Sequence, residues 1–341
     1  MKKTSENTYT KEIGSSTVRA VAHANIALVK YWGKRNVSLN LPAVGSLSIT
    51  LDALKTETTV QADESLPKDK FILNGKYASD DQIMKIGRFL DLLYEYPDRP
   101  KLVIDSKNNF PTGAGLASSA SGFAALTMAA SGIYEKEFDR KQLSKIARQG
   151  SGSAARSLFG GFVEMKCGEG DTGDGDYAVQ LYGSDYWDVR MLIAITSHKK
   201  KPVGSTAGMM RTAETSPFYS SWVKSSAKDI ENMKQALSER NFEKTGILAE
   251  HSSFKMHGLA LSANPPLLYW NATTTETIHK IWQLRENGIP AYITMDAGPQ
   301  VKVICLPEHA DSINNTLKSI EGVENVISAR PGPGAYKDFL K

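Results

Sequence analysis

Residues Pro111 to Gly122 read PTGAGLASSASG: three glycines and four serines or threonines in twelve residues, running into an apolar stretch from Phe123. Such a segment has little to bury. Its glycines let the backbone wrap closely around a guest, and a helix beginning near its end aims free N–H groups and a positive dipole end into the loop. The natural guest is a phosphate, and the chemistry suggested is phosphoryl transfer from a nucleotide. The string is neither G-x-x-x-x-G-K-[ST] nor G-x-G-x-x-G. A second segment, Gly150 to Ser157 (GSGSAARS), precedes Leu158, Phe159, Gly160 and Gly161. Two such loops are expected to line one polar pocket from two sides.

Three further residue types bear on chemistry. Asp296 ends the apolar run Ala291–Met295 and precedes Ala297-Gly298-Pro299. A carboxylate on a rigid strand end suits a general base, although the same position also suits an Asx-turn. Arg156 lies within the second glycine–serine segment, where its fork could grip a carboxylate or phosphate in two places; the alternative is a surface arginine. Lys30, Lys34, Lys76 and the 199–201 cluster could hold anionic groups, or simply be solvated. Tyr31 and Trp32 suit core or rim positions. The six histidines show no H-x-x-x-H spacing, and there is no G-x-S-x-G elbow.

The elements that must position these groups follow from periodicity. Val18–Val29 is an apolar stretch carrying His23 and Asn25. Residues 46–51 and 56–60 alternate like strands, and Phe71–Leu73 followed by Asn74-Gly75 reads as a strand and hairpin turn. Ile83, Ile86, Leu90 and Leu93 mark a helix closed by Pro97. A short strand, 102–104, feeds the glycine loop, and 123–133 is expected to be helical. The acid–glycine run 168–176 lacks EF-hand spacing and reads as a surface hairpin loop. Strand 189–196 is followed by helices around Ile230, Met233 and Leu237 and around Ile278, Ile281 and Leu284, the latter ending at Gly288. Strands 291–295 and 301–305 come last. Strands and helices mix without regular βαβ repetition, so the fold class is α+β.

The chain has 341 residues, enough for one large or two medium domains. A net charge of +4 is too small to argue for nucleic acid. Cys167 and Cys305 form no disulfide framework, and no apolar run approaches membrane length. Residues 1–16 carry lysines but no apolar h-region, so they are expected to fray rather than act as a signal.

Taken together, the motifs carry a resemblance. Pro111–Gly122 matches the phosphate loop of the GHMP kinase superfamily. Asn25–Arg35 (NIALVKYWGKR), Arg148–Gly161 and Met295–Pro299 (MDAGP) resemble the diphosphomevalonate decarboxylases within it. Met256-His257 and Ser262–Pro266 resemble further family segments, and the match runs in the family's order over nearly the whole chain. The resemblance implies an S5-like N-terminal domain (1–195), a ferredoxin-like C-terminal domain (196–341), and an active site between them. It implies ATP- and Mg²⁺-dependent decarboxylation of mevalonate 5-diphosphate to isopentenyl diphosphate, in a cytoplasmic homodimer. Asp296 would accept the proton of the C3 hydroxyl and Arg156 would hold the substrate carboxylate. Tyr31, Lys34, Ser151, Ser153 and Ser205 would bind the diphosphate. Pro111, Gly113, Gly115, Leu116, Ala117, Ser118 and Ser119 would bind ATP, with Ser118 and Ser119 candidates to touch phosphate or metal.

The chain departs from the family at Asn36, at Leu41-Pro42-Ala43-Val44-Gly45-Ser46 (where a Pro-x-Asn-Ser-Ser type of segment is usual), at Lys76 and at Gln300. These changes remove polar groups near the cleft, so mevalonate 5-phosphate stands as the alternative substrate. Phosphorylation without decarboxylation, as in a mevalonate 3-kinase, is a further alternative. A silent nucleotide-binding relative is the alternative from outside catalysis.

Overall fold

The computed structural model describes residues 17–94, 99–112, 115–133, 137–199 and 201–339. Residues 1–16, Pro97, Gly113 and Lys200, on each of which an expectation above falls, lie outside them. Elements run as β1 (Val18–Val29), β2 (Lys34–Asn36), β3 (Leu41–Pro42), β4 (Ser46–Ala62), β5 (Lys70–Leu73), β6 (Lys76–Tyr77), α1 (Asp80–Tyr94) and β7 (Leu102–Asn108). Then come α2 (Ser118–Ala130), α3 (Arg140–Gly150), α4 (Ala154–Ser157), β8 (Phe162–Met165), β9 (Ala178–Tyr182) and β10 (Arg190–Ile195). The remainder is helical at α5 (Ser205–Thr215), α6 (Tyr219–Ser238), α7 (Phe242–Leu261), α8 (Ala272–Glu286) and α9 (Ala310–Ser319), with strands β11 (Ala291–Thr294), β12 (Val301–Cys305), β13 (Asn325–Ala329) and β14 (Tyr336–Phe339).

Two sheets organise these elements. The larger is built on the antiparallel β1–β4 pair. The two strand patterns at 46–51 and 56–60 are one long strand, β4, and register shifts between His23 and Asn25 and between Ala27 and Val29 bend the ribbon. Its first residues pair with β8 and its last with β7, so one strand serves two directions. The smaller sheet has the order β11-β12-β10-β13. β10 thus pairs with β12 and β13 of this second sheet, while β14 returns to pair with β1 of the first.

The chemistry-bearing segments differ from the sequence reading in two places. The helix after the glycine loop begins at Ser118, five residues earlier than expected, and its buried Ser121 hydroxyl accepts from Thr56 Oγ1 of β4 at 2.7 Å. The second glycine–serine segment is not a loop: Gly150 ends α3, and Ala154–Ser157 forms a helical turn. The 168–176 segment does connect two hairpin strands. Its last residue, Asp176, is nevertheless fully buried, held bidentately by Arg35 at 2.8 and 2.5 Å. That pair ties the loop to the β2–β3 ribbon carrying Lys34.

Two tertiary contacts close the cleft between the sheets. The Thr294 hydroxyl donates to the Ala27 carbonyl at 3.2 Å, and the Lys30 amide donates to Ser252 Oγ at 3.0 Å.

Candidate active site

Asp296 stands two residues beyond β11. Its backbone is fixed from behind by α7, where Ser253 Oγ accepts from the Met295 amide at 2.8 Å and donates to the Met295 carbonyl at 3.3 Å. One helical turn later, His257 is buried against the same segment. Burial first, and the Lys30 cation second, push its imidazole down to about 3, so it stays neutral. Asp296 keeps a quarter of its side chain exposed. Lys30 Nζ lies 2.8 Å from Oδ1 and Lys302 Nζ lies 3.3 Å from Oδ2. Burial alone would raise the carboxyl, but the two ammoniums more than offset it and hold it well below the usual carboxylate range. Burial also lowers Lys30 to about 8 despite Asp296. Lys201, which donates to Ser205 Oγ at 2.7 Å and to the Ala297 carbonyl at 3.0 Å, is lowered to about 8 by burial.

Arg156 is not a surface arginine. It is 2% exposed and rises from α4 into the first sheet. Its Nε donates to Asn25 Oδ1 at 3.0 Å and to Ser48 Oγ at 2.9 Å, and Nη1 donates to Ser46 Oγ. The two-pronged grip expected from its sequence position is therefore partly spent on the protein. Among the described residues Nη2 has no hydrogen-bond partner, which leaves that nitrogen for a ligand. Burial lowers the guanidinium to about 10, opposed by the nearby Asp296 charge.

The two glycine–serine segments do meet, with Ser119 Oγ 3.3 Å from Ser151 Oγ. Tyr31 packs its ring edge on Gly152, where a Cβ would lie 2.6 Å from the Tyr31 hydroxyl, and that hydroxyl is buried without a partner. The Ser153 hydroxyl caps no backbone group. Lys34 Nζ lies 3.3 Å from Thr206 Oγ1, one residue past Ser205 at the start of α5. Tyr31 thus lies against Gly152, between Ser151 and Ser153, whereas Ser205 is linked through Lys201 to the Ala297 carbonyl beside Asp296.

In the phosphate loop, Pro111 is half-buried, Leu116 is buried in the core as the loop's anchor, and Ala117 takes a left-handed φ of 55°. No side chain caps α2, so Ser118 and Ser119 begin a helix whose N-terminus faces the loop. A cleft of about 250 Å³ adjoins Ser118 and Ser119, walled by Phe71, Leu73, Ile104 and Leu126. The loop abuts the Asp296 turn: a Cβ on Gly115 would lie 2.9 Å from Gly298 Cα.

The departures have local reasons. Val44 is buried in a cluster with Trp32, Met209 and Trp222, and a Cβ at Gly45 would lie 2.6 Å from Ile230 Cδ1. Gln300 is buried and accepts from the Thr196 amide at 2.6 Å. Lys76 is exposed on the β5–β6 hairpin. Sequence reasoning does not single out Lys302, Ser252 or Ser253. Only Lys302 carries a readable signal, as one charge inside the apolar strand Val-Lys-Val-Ile-Cys, where a buried lysine must find partners.

A family model described as "Diphosphomevalonate decarboxylase-like N-terminal domain" matches residues 22–177, and one described as "Mevalonate 5-diphosphate decarboxylase C-terminal domain" matches 191–331. The diphosphomevalonate decarboxylase of Candida albicans is 38% identical over 345 residues, covering 92% of this chain and 95% of that protein. The chain belongs to the diphosphomevalonate decarboxylase family. Solved structures of the decarboxylase family superpose along its length. The mevalonate diphosphate decarboxylase from Staphylococcus aureus aligns with a TM-score of 0.89 and 35% identity, covering 95% of this chain and 98% of that one. A structure described as MDDEF in complex with MVAPP, AMPPCP and magnesium aligns at 0.88 and 38%, covering 95% and 99%. The α+β expectation and the GHMP kinase fold therefore hold for this diphosphomevalonate decarboxylase family member.

Proposed function

We propose that the protein catalyses ATP-dependent decarboxylation of mevalonate 5-diphosphate to isopentenyl diphosphate, ADP, phosphate and carbon dioxide. The observation that carries this reading is Asp296, an ionised, partly open carboxylate set between Lys30 and Lys302 in the cleft where the phosphate loop and Arg156 converge. The complex of the related MDDEF protein with MVAPP, AMPPCP and magnesium supports the same substrates here.

In this reading Asp296 orients the C3 hydroxyl and takes its proton as the terminal phosphoryl group of ATP is transferred to that oxygen. Hydroxide is a poor leaving group, and phosphate is a good one. Its departure leaves positive character at C3, and loss of carbon dioxide from the adjacent carboxylate supplies the electron pair for the new double bond. Arg156 holds that carboxylate through the free Nη2. Tyr31, Lys34, Ser151, Ser153 and Ser205 hold the diphosphate, whose binding energy positions the reacting end.

Pro111, Gly113, Gly115, Leu116, Ala117, Ser118 and Ser119 form the ATP site, Leu116 by anchoring the loop. The apolar cleft beside Ser118 and Ser119 suits the flat face of the purine. Mg²⁺ bound with the nucleotide would offset phosphate charge. It needs few protein ligands when phosphates and water supply most of its oxygens, and the Ser118 and Ser119 hydroxyls suit that role. Among the described residues no group of three His, Cys, Asp or Glu is placed to hold a metal, so the phosphates fit best as its main ligands.

We assign the N-terminal unit to 1–195 and the C-terminal unit to 196–341, with β10 serving the second unit's sheet. A cytoplasmic homodimer in isoprenoid and lipid metabolism, with no nucleic-acid or membrane partner, completes the proposal. No helix among the described residues is long and apolar enough to cross a membrane.

The test is ADP and carbon dioxide release with ATP and Mg²⁺, run in parallel on mevalonate 5-diphosphate and mevalonate 5-phosphate. Both products from the diphosphate are expected. Both from the monophosphate alone would reassign the substrate. ADP without carbon dioxide would make the protein a kinase, and neither product would make it a silent binder.

A further inference from the structure

Lys302 joins the Asp296 turn to the phosphate loop. It lies on β12, between Val301 and Val303, whose side chains enter the core under α8 and α9. Strand alternation turns Lys302 to the opposite face, toward the first sheet and the phosphate loop. Ile304, its neighbour on that face, packs in the cluster that also holds Leu116. Lys302 is 0% exposed. A buried ammonium needs an acceptor for each of its three N–H groups. The Lys302 ammonium donates to the Gly115 carbonyl at 2.9 Å and to the Gln300 carbonyl at 3.4 Å, and forms an ion pair with Asp296 Oδ2 at 3.3 Å. All three partners belong to the protein. Lys30 differs, since its ammonium hydrogen-bonds only Asp296 among the described residues.

We propose that Lys302 is a positioning residue that binds the Asp296 carboxylate and the phosphate-loop carbonyl of Gly115 with one ammonium, so that proton acceptor and nucleotide loop are held in register. One oxygen of the carboxylate is fixed by Lys302 from behind, and the other is shared with Lys30. The close approach of Gly115 to Gly298 keeps the loop within reach of the same charge. Loop placement and carboxylate placement are then a single geometric variable, as an in-line transfer from ATP to the substrate hydroxyl requires. This inference rests on the functional reading above.

Lys302→Met keeps the length and removes the charge and donors. The steady-state rate is measured against pH, with KM for ATP and for mevalonate 5-diphosphate determined separately. The groups facing Asp296 are Lys30 from β1, Lys302 from β12, Lys201 from the segment after β10, Arg156 from α4 and His257 from α7. Lys302 repels the Lys30 and Lys201 ammoniums and helps hold both down near 8, so removing it moves the alkaline limb of kcat to higher pH. kcat falls about tenfold or more, and KM for ATP rises about threefold, because reactive groups and loop lose register. KM for mevalonate 5-diphosphate stays within about twofold, since its tail contacts are remote from Lys302. Lys302→Arg restores part of kcat and returns the alkaline limb.

A folded Lys302→Met protein with an unchanged alkaline limb overturns the proposal, whether or not kcat falls, because a packing defect alone lowers rate without shifting the limb. If Lys302→Met does not fold, Lys302→Gln is read by the same two measurements. Wild-type protein that releases neither ADP nor carbon dioxide overturns the functional reading and this role with it. Active wild type beside an unaltered variant overturns this role alone.

Discussion

Lys30 Nζ and Asp296 Oδ1 lie 2.8 Å apart although 266 positions separate them in the chain. The contact joins the end of β1 to the end of β11 and puts the proposed base directly beside a buried cation. A carboxylate held ionised this strongly is a weak base in the resting site. Its role is therefore to orient the hydroxyl and take the proton as transfer to phosphorus proceeds, when the departing proton is most acidic. Asp296→Asn keeps the shape and removes the acceptor. Turnover is expected to fall by about 10³-fold or more, with KM for ATP nearly unchanged. Coupled ADP release and carbon dioxide capture check it, and near-normal turnover would remove Asp296 from the mechanism.

Arg156 makes a sharper case than its sequence position suggests. A lysine there cannot reach Asn25, Ser48 and Ser46 together while also offering a donor to the cleft. Arg156→Lys should lower kcat by about 10²-fold and global stability by about 1–3 kcal/mol, since buried acceptors lose a charged donor. Denaturant unfolding beside steady-state kinetics separates the two effects. An unchanged kcat would refute the role.

Two lysines set an alkaline limit. Lys30 and Lys201 are both lowered to about 8 by burial, so both lose charge as pH rises through 8. Activity should fall across that range as the site's positive charge is lost. Stability moves the other way: between about 8 and the unfolded lysine value near 10.4 the unfolded chain binds more protons, so these two groups contribute increasing stability as pH rises. Rate and thermal melting recorded together from pH 7 to 10 test both signs. Parallel loss of rate and of the lysines' contribution to stability would contradict the assignment.

Gly115 has φ of +83° and no room for a Cβ beside Gly298. Gly115→Ala is expected to cost about 1–2 kcal/mol in left-handed strain. It should also push the phosphate loop off the Asp296 turn, raising KM for ATP more than KM for the mevalonate substrate. Isothermal titration with AMPPCP provides the check; unaltered nucleotide affinity would show that the loop's approach to Gly298 is incidental.

Much of this architecture is legible locally. The Asn74-Gly75 hairpin, the periodic helices at 80–94 and 272–286 and the buried strands at 190–195 and 301–305 follow from apolar spacing and turn chemistry. The glycine–serine segments suggested a phosphate site because glycine lets backbone N–H groups approach an anion, whereas Asp296 at a strand end suited a general base or an Asx-turn equally well until its partners were seen. Helices α5, α7 and α9 were less legible. α7 mixes serine, histidine and glycine into its buried face, since that face serves the Asp296 turn rather than a plain core.

The sequence by itself determined the kinds of groups available, the strand ends that hold them and, through the ordered motifs, the family. Only the tertiary structure decided their partners. It spent two nitrogens of Arg156 on β1 and β4, buried Asp176 in what reads as a surface loop, and brought Lys302 to the Gly115 carbonyl across 187 positions. The physical reason is one of range. Side-chain periodicity is set by the backbone within a few residues, whereas a buried charge is satisfied by whatever acceptors the packed sheets bring within about 3 Å of it.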